Sequence, residues 1–315
     1  MAPSDPVATV SIFPSPSDLP EGADVKDSSS PNPADRKQAH PSLWRGILSQ
    51  SAIVYALMLH SITSQSKKAR LGYFWELFDP LVQIGLWFAM FALLRGPRKI
   101  YDMNAVLFLS TGIIALFFFQ KIAQGMPRAL WRFRAFARAP GVTQSDLLIA
   151  GGLMEIVVMS LIAAIIWGGV ILGGFGFAPA NPLGAIAGAA ALGALGFGFG
   201  WFNAMVITLV PLYGKFLQIL FRVLFFTSGA IFPLEQMPYD VFRFLQWNPV
   251  YQGVDLVRSA WSYTYETNTS FLGYVLLWAA GLLFGGLLLE KHAQRAEDKG
   301  QERAPGGAQG EVSPI

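Results

Sequence analysis

The chain has no cysteine, only three histidines, and few charges: Asp, Glu, Lys and Arg make up 14% of its 315 residues. Without cysteine there is no disulfide framework, no thiolate metal site and no Cys nucleophile, and the redox compartment is unmarked. His40, His60 and His292 are far apart in the chain, so neither a metal site nor histidine-based catalysis assembles readily. A phosphate-binding loop of the Gly-x4-Gly-Lys-Ser/Thr type is also missing, because the one Gly-Lys pair, Gly214-Lys215, is followed by Phe216. If ATP drives this protein, another subunit binds it. The N-terminus lacks the early basic region and uninterrupted apolar run of a secretory signal, and is expected to stay in the cytoplasm.

What is present is apolar. Hydrophobic residues make up 53% of the chain, with 25 Phe, 9 Trp and 9 Tyr, a balance that suits a membrane solvent. The expected fold is an all-α integral membrane protein. Residues 1–40 are rich in Pro, Ser, Asp and Ala and are expected to form a disordered cytoplasmic tail. Residues 42–64 are apolar but interrupted by Arg45, Ser49, Gln50, His60 and Ser61, and read as an amphipathic helix lying at the interface. Six segments of spanning character follow, at about 73–94, 104–124, 146–173, 183–210, 215–232 and 271–290. In the first, Asp79-Pro80 reads as a cap and first helical residue, which would start the helix near 79. Most of the 23 Lys and Arg fall in the tails and in every second connection, which places both termini, including a tail at 293–315, in the cytoplasm.

Small residues recur at four-residue spacing, as in Gly169/Gly173, Gly184/Gly188 and Gly281/Gly285, with a dense run at Gly193, Gly196, Gly198 and Gly200. Such spacing lets helices approach closely, within one subunit or across a dimer seam. Among the charges inside spans the sharpest are Glu155 and Arg222; an ion at helix centre costs roughly 2.5–3.5 kcal/mol on insertion scales, so neither should face lipid. They are expected to pair with each other or with backbone, or Arg222 to face a wet path that attracts an anionic substrate. Between the second and third spans, residues 125–140 set Arg128, Arg132, Arg134 and Arg138 among Trp131, Phe133 and Phe136. This segment reads either as a short helix that docks on a motor subunit or as a basic helix that holds anionic lipid heads. Residues 233–262 are too broken by Pro233, Pro238 and Pro249 for a span and too apolar for an ordinary loop, and read as two short re-entrant or interfacial helices. Asn268-Thr269-Ser270 fits the glycosylation sequon by accident of composition.

Three features together resemble one family, the permease subunits of ABC-2-type exporters and, within it, the capsular polysaccharide exporters. They are ARLGYFWELFDPL at 69–81, SGAIFPLEQMPYDVFRFLQWNPVYQGVDLVR at 228–258, and the order of spans with their basic connection. The similarity covers about residues 50–292. It implies a homodimeric permease in the bacterial inner membrane joined to two ATP-binding subunits, with no cofactor of its own and ATP and Mg on the partner. It further implies export of a lipid-linked anionic polysaccharide, handed to a periplasmic adaptor and an outer-membrane polysaccharide export protein. The first and fifth spans would line the path, making Tyr73, Trp75, Trp87, Phe91, Arg222, Phe225 and Phe226 candidate lining residues, with Asp79 and Glu155 as in-membrane carboxylates. The usual Glu-Pro of the family is Asp79-Pro80 here.

An exporter of O-antigen or teichoic acid polymers would share this fold. A membrane glycosyl- or acyltransferase would need a catalytic acid, His or metal cluster that the sequence does not offer, and an ion-coupled transporter would need inverted repeats and more mid-membrane ionisable groups. Nothing marks a nucleic-acid partner.

Overall fold

A computed structural model describes residues 50, 53–58, 69–95, 102–136, 141–232, 238–265 and 270–303. The described residues are helical, with no β-strand. We label the helices α1 (Ala69–Arg95), α2 (Ala105–Arg132), α3 (Gln144–Leu172), α4 (Pro182–Leu209), α5 (Tyr213–Thr227), α6 (Tyr239–Leu245), α7 (Pro249–Ser259) and α8 (Leu272–Arg303). Four are long and apolar enough to cross a membrane: α2, α3, α4 and the Leu272–Ala293 part of α8. The apolar stretch of α1, Leu77–Leu93, is shorter. At 1.5 Å per residue the 15-residue α5 spans about 22 Å.

The helix starts follow local chemistry. Thr143 and Asp146 form a capping box, the Thr143 amide donating to Asp146 Oδ2 at 2.8 Å while the Asp146 amide donates to Thr143 Oγ1 at 3.3 Å. Asn181 accepts from the Gly184 amide at 2.9 Å and is followed by Pro182; Asn248 accepts from the Val250 amide at 3.0 Å and is followed by Pro249. Asp79-Pro80 behaves otherwise. α1 runs from Ala69 through Pro80 to Arg95, so Pro80 is an interior residue and the helix begins ten residues before the expected start. Pro80 removes one i→i−4 bond, a loss that transmembrane helices tolerate when neighbouring groups cover the freed carbonyl, and Pro80 is buried.

α2 is the central helix, buried over most of its length, with α1, α3, α4 and α7 packed around it and α8 lying along α4. The dense glycine run of α4 makes these contacts possible. A Cβ at Gly198 would stand 2.4 Å from the Ala279 carbonyl oxygen on α8, and one at Gly196 3.0 Å from the Phe119 carbonyl on α2. By contrast Gly169 and Gly281 face open space within this chain, so the wider-spaced small-residue pairs are not uniformly packing contacts.

The 125–140 segment is not a separate short helix. Its first eight residues are the last two turns of α2, and 133–136 form a tight turn. The cause is packing: Ala129, Phe133, Leu147 and Ala150 form one cluster, which also receives Val54 and Leu57 from the helical residues 53–58. Those six residues, with Gln50, are the described part of the expected interfacial helix, and the rest of it lies outside the described residues. So do Arg138, Pro233, both tails' ends and the Asn268 sequon.

The two short helices expected after α5 differ from each other. α6 has no buried residue and presents Tyr239 and Phe244 outward, with Trp247 exposed in the turn after it. α7 is inserted among α2, α4 and α8, with Val250 to Asp255, Val257 and Arg258 buried. Its polar residues form a network. Asp255, 1% exposed, accepts from Tyr265 Oη and, at 2.6 Å, from Ser270 Oγ. Burial pushes the Tyr265 hydroxyl above the ordinary tyrosine range, so it stays a proton donor to that carboxylate. Gln252 donates to the Gln246 carbonyl at 2.9 Å and accepts from the Phe271 amide at 3.2 Å.

Candidate functional site: a cationic cleft between α1, α2 and α5

A cleft of about 600 Å³ opens between α1, α2 and α5. Each helix contributes one face. On α2 the lining residues are Phe117, Gln120, Lys121, Gln124 and Arg128, and on α5 they are Gly214, Leu217, Gln218, Phe221, Arg222 and Phe225, steps of three and four that place them in line. Asp79 and Gln83, also four apart, come from α1, and Phe226 closes the α5 side. The wall therefore carries Lys121, Arg128 and Arg222 against the single carboxylate Asp79, with amides and phenyl rings between them. Two side chains are held by backbone: Gln120 Nε2 donates to the Phe221 carbonyl at 3.1 Å, and Arg128 Nε to the Gln124 carbonyl at 2.9 Å. The first of these bonds ties α2 to α5 across the cleft. Such a surface can hold an anionic polymer, with cations at its charges, amides at its hydroxyls and ring faces against sugar rings.

Of the residues singled out in the sequence, the cleft gathers Asp79, Arg128, Arg222, Phe225 and Phe226. Trp87 lies beside it, 6.4 Å from Phe225 and 6.0 Å from Phe232, and Phe91 is buried in the apolar core, 5.5 Å from Phe232. Trp75 is exposed and stacks edge-on against Phe78 at 5.5 Å, outside the cleft lining. Tyr73 is on α1, and its side chain is outside the described residues. The sequence reading missed Gln83, Gln120, Lys121, Gln124 and Gln218. A signal existed: polar residues four apart inside otherwise apolar helices, Asp79/Gln83, Gln120/Gln124 and Gln218/Arg222, mark a face that does not meet lipid.

Glu155 and Arg222 do not meet. The Glu155 carboxylate, its side chain 7% exposed, lies 3.9 Å from Arg132 Nη2, and Arg132 Nη1 contacts Met154 Sδ at 3.7 Å. Glu155 can enter because Gly125 on α2 has no side chain: a Cβ there would stand 2.3 Å from Glu155 Cγ and 2.8 Å from its Oε1. Gly125→Val is therefore expected to lower the thermal midpoint of the solubilised protein by displacing a paired carboxylate, at a cost of about 1–3 kcal/mol; Gly85→Val, where the space is open, should change it little. At the C-terminal end of α2 and in the turn after it, Arg128, Trp131 and Arg134 are exposed, with the Arg134 guanidinium 5.8 Å from the centre of the Trp131 ring, while Phe136 is half-buried. Among the described residues no three His, Asp or Glu side chains gather as a metal site.

A family model described as ABC-2 type transporter matches residues 53–261, which includes the whole cleft and α7. The chain belongs to the ABC-2 type transporter family. Its relatives in this family include the polysialic acid transport protein KpsM of Escherichia coli, 29% identical over 251 residues that cover 78% of this chain and 95% of KpsM. The capsule polysaccharide export inner-membrane protein CtrC of Neisseria meningitidis is 22% identical, over 81% of this chain and 97% of its own. The corresponding protein BexB of Haemophilus influenzae is 19% identical, over 77% and 91%. Together with four helices of crossing length, family membership makes the chain a multi-pass membrane protein.

Proposed function

We propose that this chain is the permease subunit of an ATP-driven exporter that moves lipid-linked capsular polysaccharide across the bacterial inner membrane. The observation that carries the proposal is the α1–α2–α5 cleft: three cations against one carboxylate, amides at helical spacing, and Phe117, Phe221, Phe225 and Phe226 on its walls. KpsM, CtrC and BexB, to which this chain is similar over most of their lengths, are named for transport of polysialic acid or export of capsule polysaccharide.

In this reading α1 and α5 complete six crossings, and both termini are cytoplasmic. Arg128, Arg132, Arg134, Lys215 and Lys291 then lie at the cytoplasmic end and the α6–α7 pair at the periplasmic end, in keeping with the excess of cations inside. Two copies of the chain face each other and two ATP-binding subunits, which carry the ATP and Mg, dock on the cytoplasmic side. A periplasmic adaptor and an outer-membrane export protein receive the polymer. The exposed Arg128–Trp131–Arg134 surface, with Phe136 and Arg138 beyond it, is the docking contact, since aromatic and arginine side chains are the usual anchors of such interfaces.

Co-purification with the ATP-binding subunit and ATP hydrolysis by the complex in lipid test this reading. A complex with two copies of each subunit supports it, and a chain that retains no ATPase overturns it. Within that complex Arg134→Glu is expected to lower polymer-stimulated hydrolysis at least about tenfold, while insertion into the membrane is unchanged because Arg134 is exposed. Undiminished stimulation would remove this surface from the interface.

A further inference from the structure

α5 forms a wall of the cleft, yet within this chain it is lightly seated: of its 15 residues only Leu217 and Phe221 are buried. Its far end is held much more firmly. Just after the helix the chain turns at Ser228, at Gly229 with φ 67°, and at Ala230, all three buried. Arg258 of α7, 1% exposed, reaches this turn and donates from Nη1 to the Gly229 carbonyl at 2.9 Å and from Nη2 to the Ala230 carbonyl at 2.9 Å. Its guanidinium carbon lies 3.9 Å from the centre of the Phe108 ring on α2. The fork has room because position 112 of α2 is glycine: a Cβ there would stand 2.1 Å from Arg258 Nη2 and 2.2 Å from the Ala230 oxygen. Asn248, which caps α7, adds a second tie, with Nδ2 3.3 Å from Thr227 Oγ1.

We propose that Arg258 is a positioning residue for export, a clasp that fixes the end of α5 to α2 and α7 so that Phe221, Arg222, Phe225 and Phe226 present one defined wall to the polymer. The inference rests on the cleft being the export path. A planar guanidinium suits the task, because it bonds two successive carbonyls at once and stacks on a ring, which an ammonium cannot do. Besides this clasp, α5 is joined to the bundle by Gln120 at the Phe221 carbonyl and by the Tyr213 hydroxyl, which donates to Asn203 Oδ1 at 2.6 Å, so the clasp sets the C-terminal end of the wall and links it to α7.

The chain has no native cysteine, so Val223→Cys, on the exposed side of α5 and outside the cleft lining, introduces the one thiol of this chain as a reporter. In that background Arg258→Met, Arg258→Lys and Gly112→Ala are compared in the assembled exporter. The measurements are maleimide labelling rate at position 223 and polymer exported per inserted molecule. The expected result is a several-fold change in labelling and about a tenfold loss of export for Arg258→Met, a smaller change for Arg258→Lys, which keeps the charge but has a single donor nitrogen in place of the fork, and a change in the same direction for Gly112→Ala, which keeps the arginine but fills its seat. If Arg258→Met fails to insert, the other two variants carry the comparison. Lower protein level with unchanged labelling and unchanged export per molecule would make Arg258 a fold-stabilising residue only and overturn the proposal. Changed labelling with undiminished export would leave the clasp standing as an anchor of α5 but overturn its role in export, whereas the cleft as the route is tested separately by crosslinking at Phe225.

Discussion

Arg222→Glu is expected to reduce polysaccharide export per inserted molecule by at least about a hundredfold. The cleft holds Lys121, Arg128 and Arg222 against Asp79, and this one substitution changes the local charge by two units. At an effective dielectric of about 20, a unit charge acting over about 6 Å is worth roughly 3 kcal/mol, so an anionic polymer entering the cleft would meet repulsion where it had met attraction. Arg222 is exposed within this chain, so the fold should tolerate the change. Arg222→Gln separates charge from size. It removes one cation, keeps a hydrogen-bond donor, and should cost about tenfold. Export assayed on cells with equal amounts of inserted protein makes the comparison, and equal export by all three proteins would take Arg222 out of the path.

Asp255→Ala is the substitution expected to damage the fold most. Asp255 accepts from Tyr265 and Ser270 inside the bundle and lies one helical turn from the buried cation Arg258. Truncation takes the acceptor from the buried Tyr265 hydroxyl and the half-buried Ser270 hydroxyl and leaves a buried guanidinium with less compensation, a loss of about 3–5 kcal/mol. The thermal midpoint of the solubilised protein should fall accordingly, with Asp255→Asn falling less because its amide oxygen still accepts. Equal midpoints for the aspartate and alanine proteins would mean that this network contributes nothing to holding α7 in place.

These two residues also mark how far the sequence could be read. Arg222 stands in LQILFRVLFF, where a cation among apolar neighbours is conspicuous. Asp255 and Arg258 stand in the 233–262 stretch, which reads as two short re-entrant or interfacial helices without showing which of their polar residues turn inward. Only packing against α2, α4 and α8 makes them interior groups, and a pairwise pattern along the chain cannot show that. Helices were legible wherever hydrophobic runs were long, as in α3, α4 and α8. The start of α1 was not, because Asp-Pro is a start signal in water but stands inside the helix where Pro80 is buried. The end of α2 was misplaced for a related reason: its arginines suggested a cytoplasmic segment of its own, while Ala129 and Phe133 keep the helix and its following turn packed on α3. In the cleft the aromatic and cationic residues were visible one by one, and the amides of Gln83, Gln120, Gln124 and Gln218 became a lining only when three helices aligned them.

The central claim is that polymer passes along the α1–α2–α5 cleft, and photo-crosslinking during active export tests it most directly. A photoreactive phenylalanine derivative is placed at Phe225 in the cleft, or at Leu161 on the outward side of α3, and the complex is illuminated with ATP present. The account predicts polymer attached at position 225, dependent on ATP, and none at 161. Attachment at 161 but not at 225, with export intact, would contradict it.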